Sequence, residues 1–258
     1  QTLNEHAINA PLMVVKGDGS LITAKLALER PVETILSGPA ASVVGALHYT
    51  PCNNAIVADM GGTTTDIAII AKGRAVLSQD ATQVGPWQPM VESVRVLSIG
   101  LGGDSEVGFS GGAGLAIGPR RVVPMSLLID RHPQLMSALI SQSKTTPSAR
   151  NNRFAVPLFA TQAQYNNLAA AEKQAWETLS EGPIDLSLQA MSNRPLTRSI
   201  AELVRGGLAL YSGYTPSDAA HVLGLMNHWS TEAAQLATTI WQRQMRQVYG
   251  WGRRSSDD

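Results

Sequence analysis

Several things are scarce in this chain, and each scarcity narrows what it can be. Among 258 residues there is one cysteine, Cys52, which excludes an intramolecular disulfide and fits a reduced, cytoplasmic setting. Cys52 lies between Pro51 and Asn53-Asn54, a turn context rather than that of an activated thiol. Net charge is also missing: 20 Lys and Arg balance 20 Asp and Glu, so no global field draws nucleic acid or an anionic membrane. No apolar run reaches the roughly 18 residues that span a bilayer, and no secretory leader opens the sequence. His6, His48, His132 and His228 show no metal-ligand spacing, and no Ser/His/Asp or Cys/His arrangement can be read. Gln1 stands in place of an initiator Met, so the chain reads as an excised segment.

What is present is an ordinary globular complement of apolar residues, 44%, in a length that allows one large or two small domains. The most informative stretch is Ala55-Ile-Val-Ala-Asp-Met-Gly-Gly-Thr-Thr-Thr-Asp-Ile-Ala-Ile-Ile70. An apolar strand ends in Asp59, Gly61 and Gly62 turn the backbone, three threonines follow, and Asp66 leads into a second strand. Glycines let bare N–H groups approach an anion, and threonine hydroxyls add donors to it. Two carboxylates beside a phosphate would repel it unless a divalent cation stood between them, so the motif points to Mg²⁺. A plain β-hairpin with a Gly-Gly turn also fits the string. The full Asp-Met-Gly-Gly-Thr-Thr-Thr-Asp favours a phosphate site built on such a hairpin. Asp59 is also able to cap the turn through backbone N–H groups.

Periodicity sets the rest of the layout. Residues 12–22 read as a hairpin around Gly17-Asp-Gly-Ser20, preferred to a second phosphate loop because Thr and a second Asp are lacking. A small-residue helix starts at Ser37 or Gly38, with Pro39 in its first turn, and runs to about His48. Its N-terminus suits either an anion or a purely structural interdomain start. Strands are expected over 56–70, 75–77, 94–99, 107–109 and 115–123. Beyond Pro124 the pattern turns helical: 125–140, then a polar loop at 141–152, a strand at 154–159, and an amphipathic helix at 164–179 with Leu168, Ala171, Ala175 and Leu179 on one face. Short helices at 184–191 and 196–204, an extended segment at 206–213, helices at 216–223 and 231–248, and a polar tail at 253–258 complete the chain. The 164–213 stretch looks like a small winged-helix unit. Residues 168–206 carry Lys173, Arg194, Arg198 and Arg205 against Glu172, Glu177, Glu181, Asp185 and Glu202, a balance that argues against nucleic-acid binding.

Four segments share one resemblance. The 59–66 loop resembles the phosphate loop of the actin-like ATPase superfamily. Upstream, Arg30-Pro-Val-Glu-Thr-Ile-Leu-Ser-Gly-Pro-Ala-Ala-Ser-Val-Val-Gly-Ala46 is similar to the segment leading into the second phosphate loop of hydantoinase/oxoprolinase-like proteins. Downstream, Ser98-Ile-Gly-Leu-Gly-Gly-Asp-Ser105 and Tyr214-Thr-Pro-Ser-Asp-Ala-Ala-His-Val-Leu-Gly224 resemble their glycine loop and their T-P-T-D-x-x-H-V-L-G stretch, in the same order. This chain departs from the family pattern with Leu101 and Asp104 in the glycine loop and with Gly118-Pro-Arg-Arg-Val-Val-Pro-Met-Ser126 after it. A divergent member with another substrate is therefore a live reading.

The resemblance implies an α/β fold: an actin-like ATPase half on a ribonuclease-H-like sheet over residues 1–124, and a mostly helical C-terminal region over 125–258. It implies ATP and Mg²⁺ as cofactors, with Asp59 and Asp66 catalytic and metal-holding, and Gly61, Gly62, Thr63 and Thr64 on the phosphates. Gly100, Gly102 and Gly103 are further cofactor-binding candidates, though a flexible hairpin loop explains them equally; Asp104 has a ribose hydroxyl or a metal as candidate partners. Asp218 and His221, one helical turn apart after Thr215, read better as a near capping box than as chemistry. The implied activity is ATP-dependent opening of a small cyclic amide of the hydantoin or 5-oxoproline type. The implied partner is the N-terminal half of the same protein, carrying the first phosphate loop, with a homo-oligomer or a second subunit beside it and neither nucleic acid nor membrane. The alternatives are a reactivase- or chaperone-like module that couples nucleotide state to a protein partner, and a nucleotide-binding scaffold without turnover.

Overall fold

A computed structural model describes residues 5–78, 91–110, 114–187 and 192–251. The chain divides into two compact units, Gln1–Ile99 and Gly100–Asp258, whereas the sequence reading sets its boundary after residue 124.

In the first unit, strands β1 (Met13–Val15) and β2 (Leu21–Thr23) pair antiparallel. Their turn is closed by Lys16 N–H donating to the Ser20 carbonyl at 2.8 Å, while Asp18 Oδ1 accepts from the Ser20 N–H and hydroxyl. Gly17-Asp-Gly-Ser20 is thus the hairpin turn that its composition predicts. A Cβ at Gly17 would fall 2.3 Å from the Ile35 carbonyl oxygen, so only glycine allows this approach. Helix α1 (Ala24–Glu29) is capped by Thr23, and a 3₁₀ turn at Pro31–Thr34 leads to helix α2 (Ser37–Tyr49). The cap of α2 is Leu36, in left-handed geometry at φ 60°, and not Ser37 or Gly38. Both of those residues already lie inside the helix.

Strands β3 (Asn54–Met60) and β4 (Thr65–Ala71) form the long hairpin, and β4 also pairs with β5 (Arg74–Ala75) and β6 (Val96–Ile99), all antiparallel. The expected strand at 75–77 is shorter, and continues only as a single bridge from Leu77 to Val94. Strand alternation sends Ala68 and Ile70 against Ala40 and Val43 of α2, with Val94, Val57 and Val96 closing the core. The opposite face carries Ile56, Ile69 and Leu97, which stay 74%, 49% and 64% exposed. One face of the sheet is covered, and on the other these three side chains stand exposed.

The second unit holds the antiparallel pair β7 (Ser105–Phe109) and β8 (Leu115–Arg121) and a sheet of order β11-β10-β12-β9. These four strands are β9 (Val123–Pro124), β10 (Phe154–Pro157), β11 (Ile184–Asp185) and β12 (Ala209–Gly213). Only the β12–β9 pairing is parallel. Its helices are α3 (Met125–Arg131), α4 (Met136–Lys144), α5 (Gln162–Asn166), α6 (Ala170–Ser180), α7 (Arg194–Arg205), α8 (Pro216–Val222) and α9 (Thr231–Gln247). Consecutive residues of β10 serve two cores: Phe154 packs with Met125, Leu128, Leu139 and Ile240, and Ala155 with Leu179, Ile200 and Leu203. The sheet therefore separates an α3/α4/α9 layer from an α6/α7 layer.

Three helix expectations need correction. The helix at 125–140 is broken at Pro133, which opens a 3₁₀ turn; proline supplies no N–H and pushes the preceding His132 out of helical geometry. The helix at 164–179 is two helices: Thr161 and Gln164 cap the first reciprocally, whereas the second starts at Ala169, whose N–H donates to the Glu172 carboxylate at 2.9 Å with no side-chain bond in return. The expected helix at 184–191 begins instead as a strand, Ile184–Asp185 pairing with β10, and its last four residues lie outside the described ones, as does the 253–258 tail.

Asp218 ties α8 to α3. It is fully buried and accepts from the N–H groups of Met125 and Ser126 at 3.2 and 2.8 Å, from the Ser126 hydroxyl at 2.7 Å, and from the Thr215 N–H and hydroxyl, both at 3.0 Å. With Thr215 it forms the full capping box of α8. Burial pushes its carboxyl above the ordinary range, against the pull of these donors. On the next turn His221 Nδ1 lies 2.8 Å from the Ser217 carbonyl, and its Nε2 accepts from the Trp229 N–H at 3.2 Å. Both residues are absorbed by structure.

Candidate functional site

The β3–β4 register places Asp59 directly across from Asp66 and Met60 across from Thr65. The residues between them form the turn. Directly opposed residues of an antiparallel pair stand about 5 Å apart at Cβ, and like charges in that position repel. Each carboxylate is steadied by a serine. Asp59 Oδ2 accepts from the Ser42 hydroxyl of α2, and Asp66 Oδ1 from the Ser98 hydroxyl of β6, both at 2.5 Å. Both carboxylates thus sit on the face of the sheet that α2 covers, at its end, where Asp59 is exposed and Asp66 half-buried.

Within the turn, Gly61 donates its N–H to the Thr64 carbonyl at 2.9 Å. Of the expected phosphate donors it is the one that closes the loop. The N–H groups of Gly62 and Thr63 and the hydroxyls of Thr63 and Thr64 have no partner among the described residues. A Cβ at Gly61 would meet only the Thr64 oxygen at 3.7 Å, so the approach to the turn is open.

Among the described residues no group of three or more His, Cys, Asp or Glu side chains could hold a metal. The Asp59–Asp66 pair offers two carboxylates, with no third His, Cys, Asp or Glu beside them among the described residues. That donor set fits Mg²⁺, which keeps several waters and is held by one or two carboxylates plus substrate phosphates. Sequence reasoning missed Ser42 and Ser98. The signal for Ser98 was a hydroxyl residue between Leu97 and Ile99 in an otherwise apolar strand. Ser42 gave none, because a serine in a small-residue helix reads as filler.

The other glycine candidates, Gly100, Gly102 and Gly103, fall in the second unit. There the Gly102 N–H donates to Ser105 Oγ at 2.9 Å, and the Gly103 carbonyl accepts from the Ser217 N–H at 3.0 Å. A Cβ at Gly100 would sit 3.2 Å from Pro119. Asp104 is engaged by Arg121, whose Nε and one terminal nitrogen donate to Oδ2 at 3.2 and 2.9 Å. The Asp59–Asp66 turn and this glycine loop belong to different units.

The first unit therefore defines a hairpin with opposed carboxylates and unspent turn donors, the kind of site that receives an anion together with a cation. The hydantoinase/oxoprolinase family profile matches residues 1–132, just over half of the chain, and the chain belongs to that family. The caprolactamase subunit alpha of Pseudomonas jessenii is 31% identical over 119 residues, which make up 45% of this chain and 17% of that protein. The chain thus spans about a sixth of the length of this curated relative. An acetone carboxylase, solved nucleotide-free in a study of ATP-dependent acetone carboxylation, is 23% identical with a TM-score of 0.41, over 46% of this chain and 17% of the other. Among the described residues no helix is long and apolar enough to cross a membrane.

Proposed function

We propose that residues 59–66 bind the phosphates of ATP with Mg²⁺, and that the chain is the nucleotide-binding part of an ATP-dependent hydrolase that opens cyclic amides. The observation that carries this reading is the cross-strand pair Asp59–Asp66 on either side of a turn with unspent donors. Membership of the hydantoinase/oxoprolinase family supports the reaction class. So does the name of the caprolactamase relative, since caprolactam is itself a cyclic amide.

In this reading Asp59 and Asp66 would hold Mg²⁺ directly or through its waters, and the cation would offset their mutual repulsion. Ser42 and Ser98 keep the two carboxylates from swinging away. The N–H groups of Gly62 and Thr63 and the threonine hydroxyls would stabilise phosphate charge from fixed positions, the form of catalysis on which phosphoryl transfer chiefly relies. The nucleotide, when bound, supplies a phosphoryl group able to activate the amide oxygen so that water can open the ring.

We place this site in an actin-like ATPase half completed by the N-terminal half of the same protein. The bare row of Ile56, Ile69 and Leu97 supports that completion, because contiguous exposed apolar surface marks a place where more protein packs. The far greater length of the caprolactamase relative provides for such a complement. Calorimetry of Mg·ATP binding to the protein and to Asp59→Asn and Asp66→Asn tests the assignment. Each variant is expected to weaken binding about tenfold or more without loss of fold, and unchanged affinity in both would overturn it.

A further inference from the structure

The second unit contains a cavity of about 330 Å³ that the nucleotide reading does not use. It opens where the last turn of α3 faces the β9–β12–β10 part of the sheet. Val156 and Leu210, register partners on adjacent strands, form one wall, and Leu127 and Leu158 extend it. The rim is charged. Arg131, at the end of α3, lies on it exposed, with no hydrogen bond or ion pair among the described residues. His132 follows it. Among the described residues the one carboxylate lining the rim, Asp104, is paired with Arg121, so the rim keeps the positive charge of Arg131 in excess.

A helix dipole accounts for a cation in the last turn, but not for an apolar chamber opening beside it. Ligand cavities usually measure some 300–1,000 Å³, with apolar walls and a few polar groups that fix orientation. We propose that this cavity binds an organic monocarboxylate with an unbranched apolar body, the chain against Leu127, Val156, Leu158 and Leu210 and the carboxylate on the Arg131 guanidinium. A guanidinium meets a carboxylate through paired N–H donors, and the leucine and valine side chains of the wall offer an apolar chain its contacts. The proposal is independent of the nucleotide site and stands if that assignment fails.

The test uses hexanoate, with 1-hexanol as the uncharged probe, followed by calorimetry and saturation-transfer NMR on the 258-residue chain. Hexanoate should bind saturably at one site and hexanol about tenfold more weakly, since a charge-assisted hydrogen bond is worth that much. Arg131→Ala, at an exposed and unpaired position that leaves the fold intact, should cost hexanoate about tenfold and leave hexanol unchanged. Arg131→Glu should abolish hexanoate binding. The proposal is overturned if hexanoate does not saturate, if hexanol binds equally well, or if Arg131→Ala leaves the affinity for hexanoate unchanged.

Discussion

Replacing Asp218 should damage the second unit far more than its place in a surface-looking Thr-Pro-Ser-Asp turn implies. Its carboxylate is the common acceptor for three backbone N–H groups, those of Met125, Ser126 and Thr215, and for two hydroxyls. In Asp218→Ala the hydroxyls can turn to other acceptors, but the three N–H groups cannot. Each buried orphan donor costs about 1–3 kcal/mol, and relief of the buried charge offsets part of the sum, so a net loss of about 3 kcal/mol is expected. For a unit of this size that corresponds to roughly 6–12 °C in Tm. Trp229 stacks on His221 with ring centroids 5.3 Å apart, so tryptophan emission during urea or thermal unfolding reports on this region. Ser126→Ala, which removes one hydroxyl and no acceptor, should cost about 1 kcal/mol and serves as the control. A loss from Asp218→Ala no larger than the control's would refute the clamp.

The same residue gives a pH dependence. Burial raises its carboxyl above the ordinary value of 3.8, so between 3.8 and the raised value the folded unit keeps a proton that the unfolded chain has released. The folded state then binds more protons than the unfolded one, and stability falls as pH rises through that window. Asp218→Asn, which does not titrate, should remove this slope from urea midpoints measured across acid to neutral pH; an unchanged slope would assign it to another group. In the first unit, Gly17→Ala should destabilise by about 1–3 kcal/mol through overpacking against the Ile35 carbonyl, as seen in amide exchange of the β1–β2 hairpin. The 164–213 stretch should show no salt-sensitive binding to a random-sequence duplex by fluorescence anisotropy at concentrations of about 10⁻⁶ M, where non-specific binders begin to associate. The 258-residue chain by itself should turn over ATP negligibly in a phosphate-release assay, because the proposed second half would supply the remaining donors and exclude water.

Much of the fold was legible because the relevant signals are local. Apolar alternation on either side of a Gly-Gly turn fixed the β3–β4 hairpin almost to the residue, and Asp18 with Gly19 and Ser20 marked the β1–β2 turn. Thr215-Pro-Ser-Asp218 announced its capping box for the same reason: cap and partner lie three residues apart. Errors arose where tertiary pairing or a competing stop overrode periodicity. Pro133 interrupts an apolar pattern that otherwise reads as one helix. Thr161 and Ala169 start separate helices within a single amphipathic stripe. Ile184 and Asp185 become strand because β10 offers them an edge, which nothing in their own sequence reveals.

The candidate site divides along the same line. The string from Asp59 to Asp66 states its residue types and spacing, and those two features alone set the carboxylates across from one another and the donors in the turn. What holds the carboxylates in place comes from 17 residues upstream, at Ser42, and 32 downstream, at Ser98. Serines are frequent, and only the folded sheet and its helix select these two. If the serines hold the pair ready for a cation, losing a hydroxyl should weaken Mg·nucleotide binding less than losing a carboxylate. It should do so without altering the stability of the first unit by more than the roughly 1 kcal/mol of a single exposed hydrogen bond. Ser42→Ala and Ser98→Ala therefore separate positioning from packing. A structural serine would lower the melting temperature and leave affinity alone, whereas a positioning serine does the reverse.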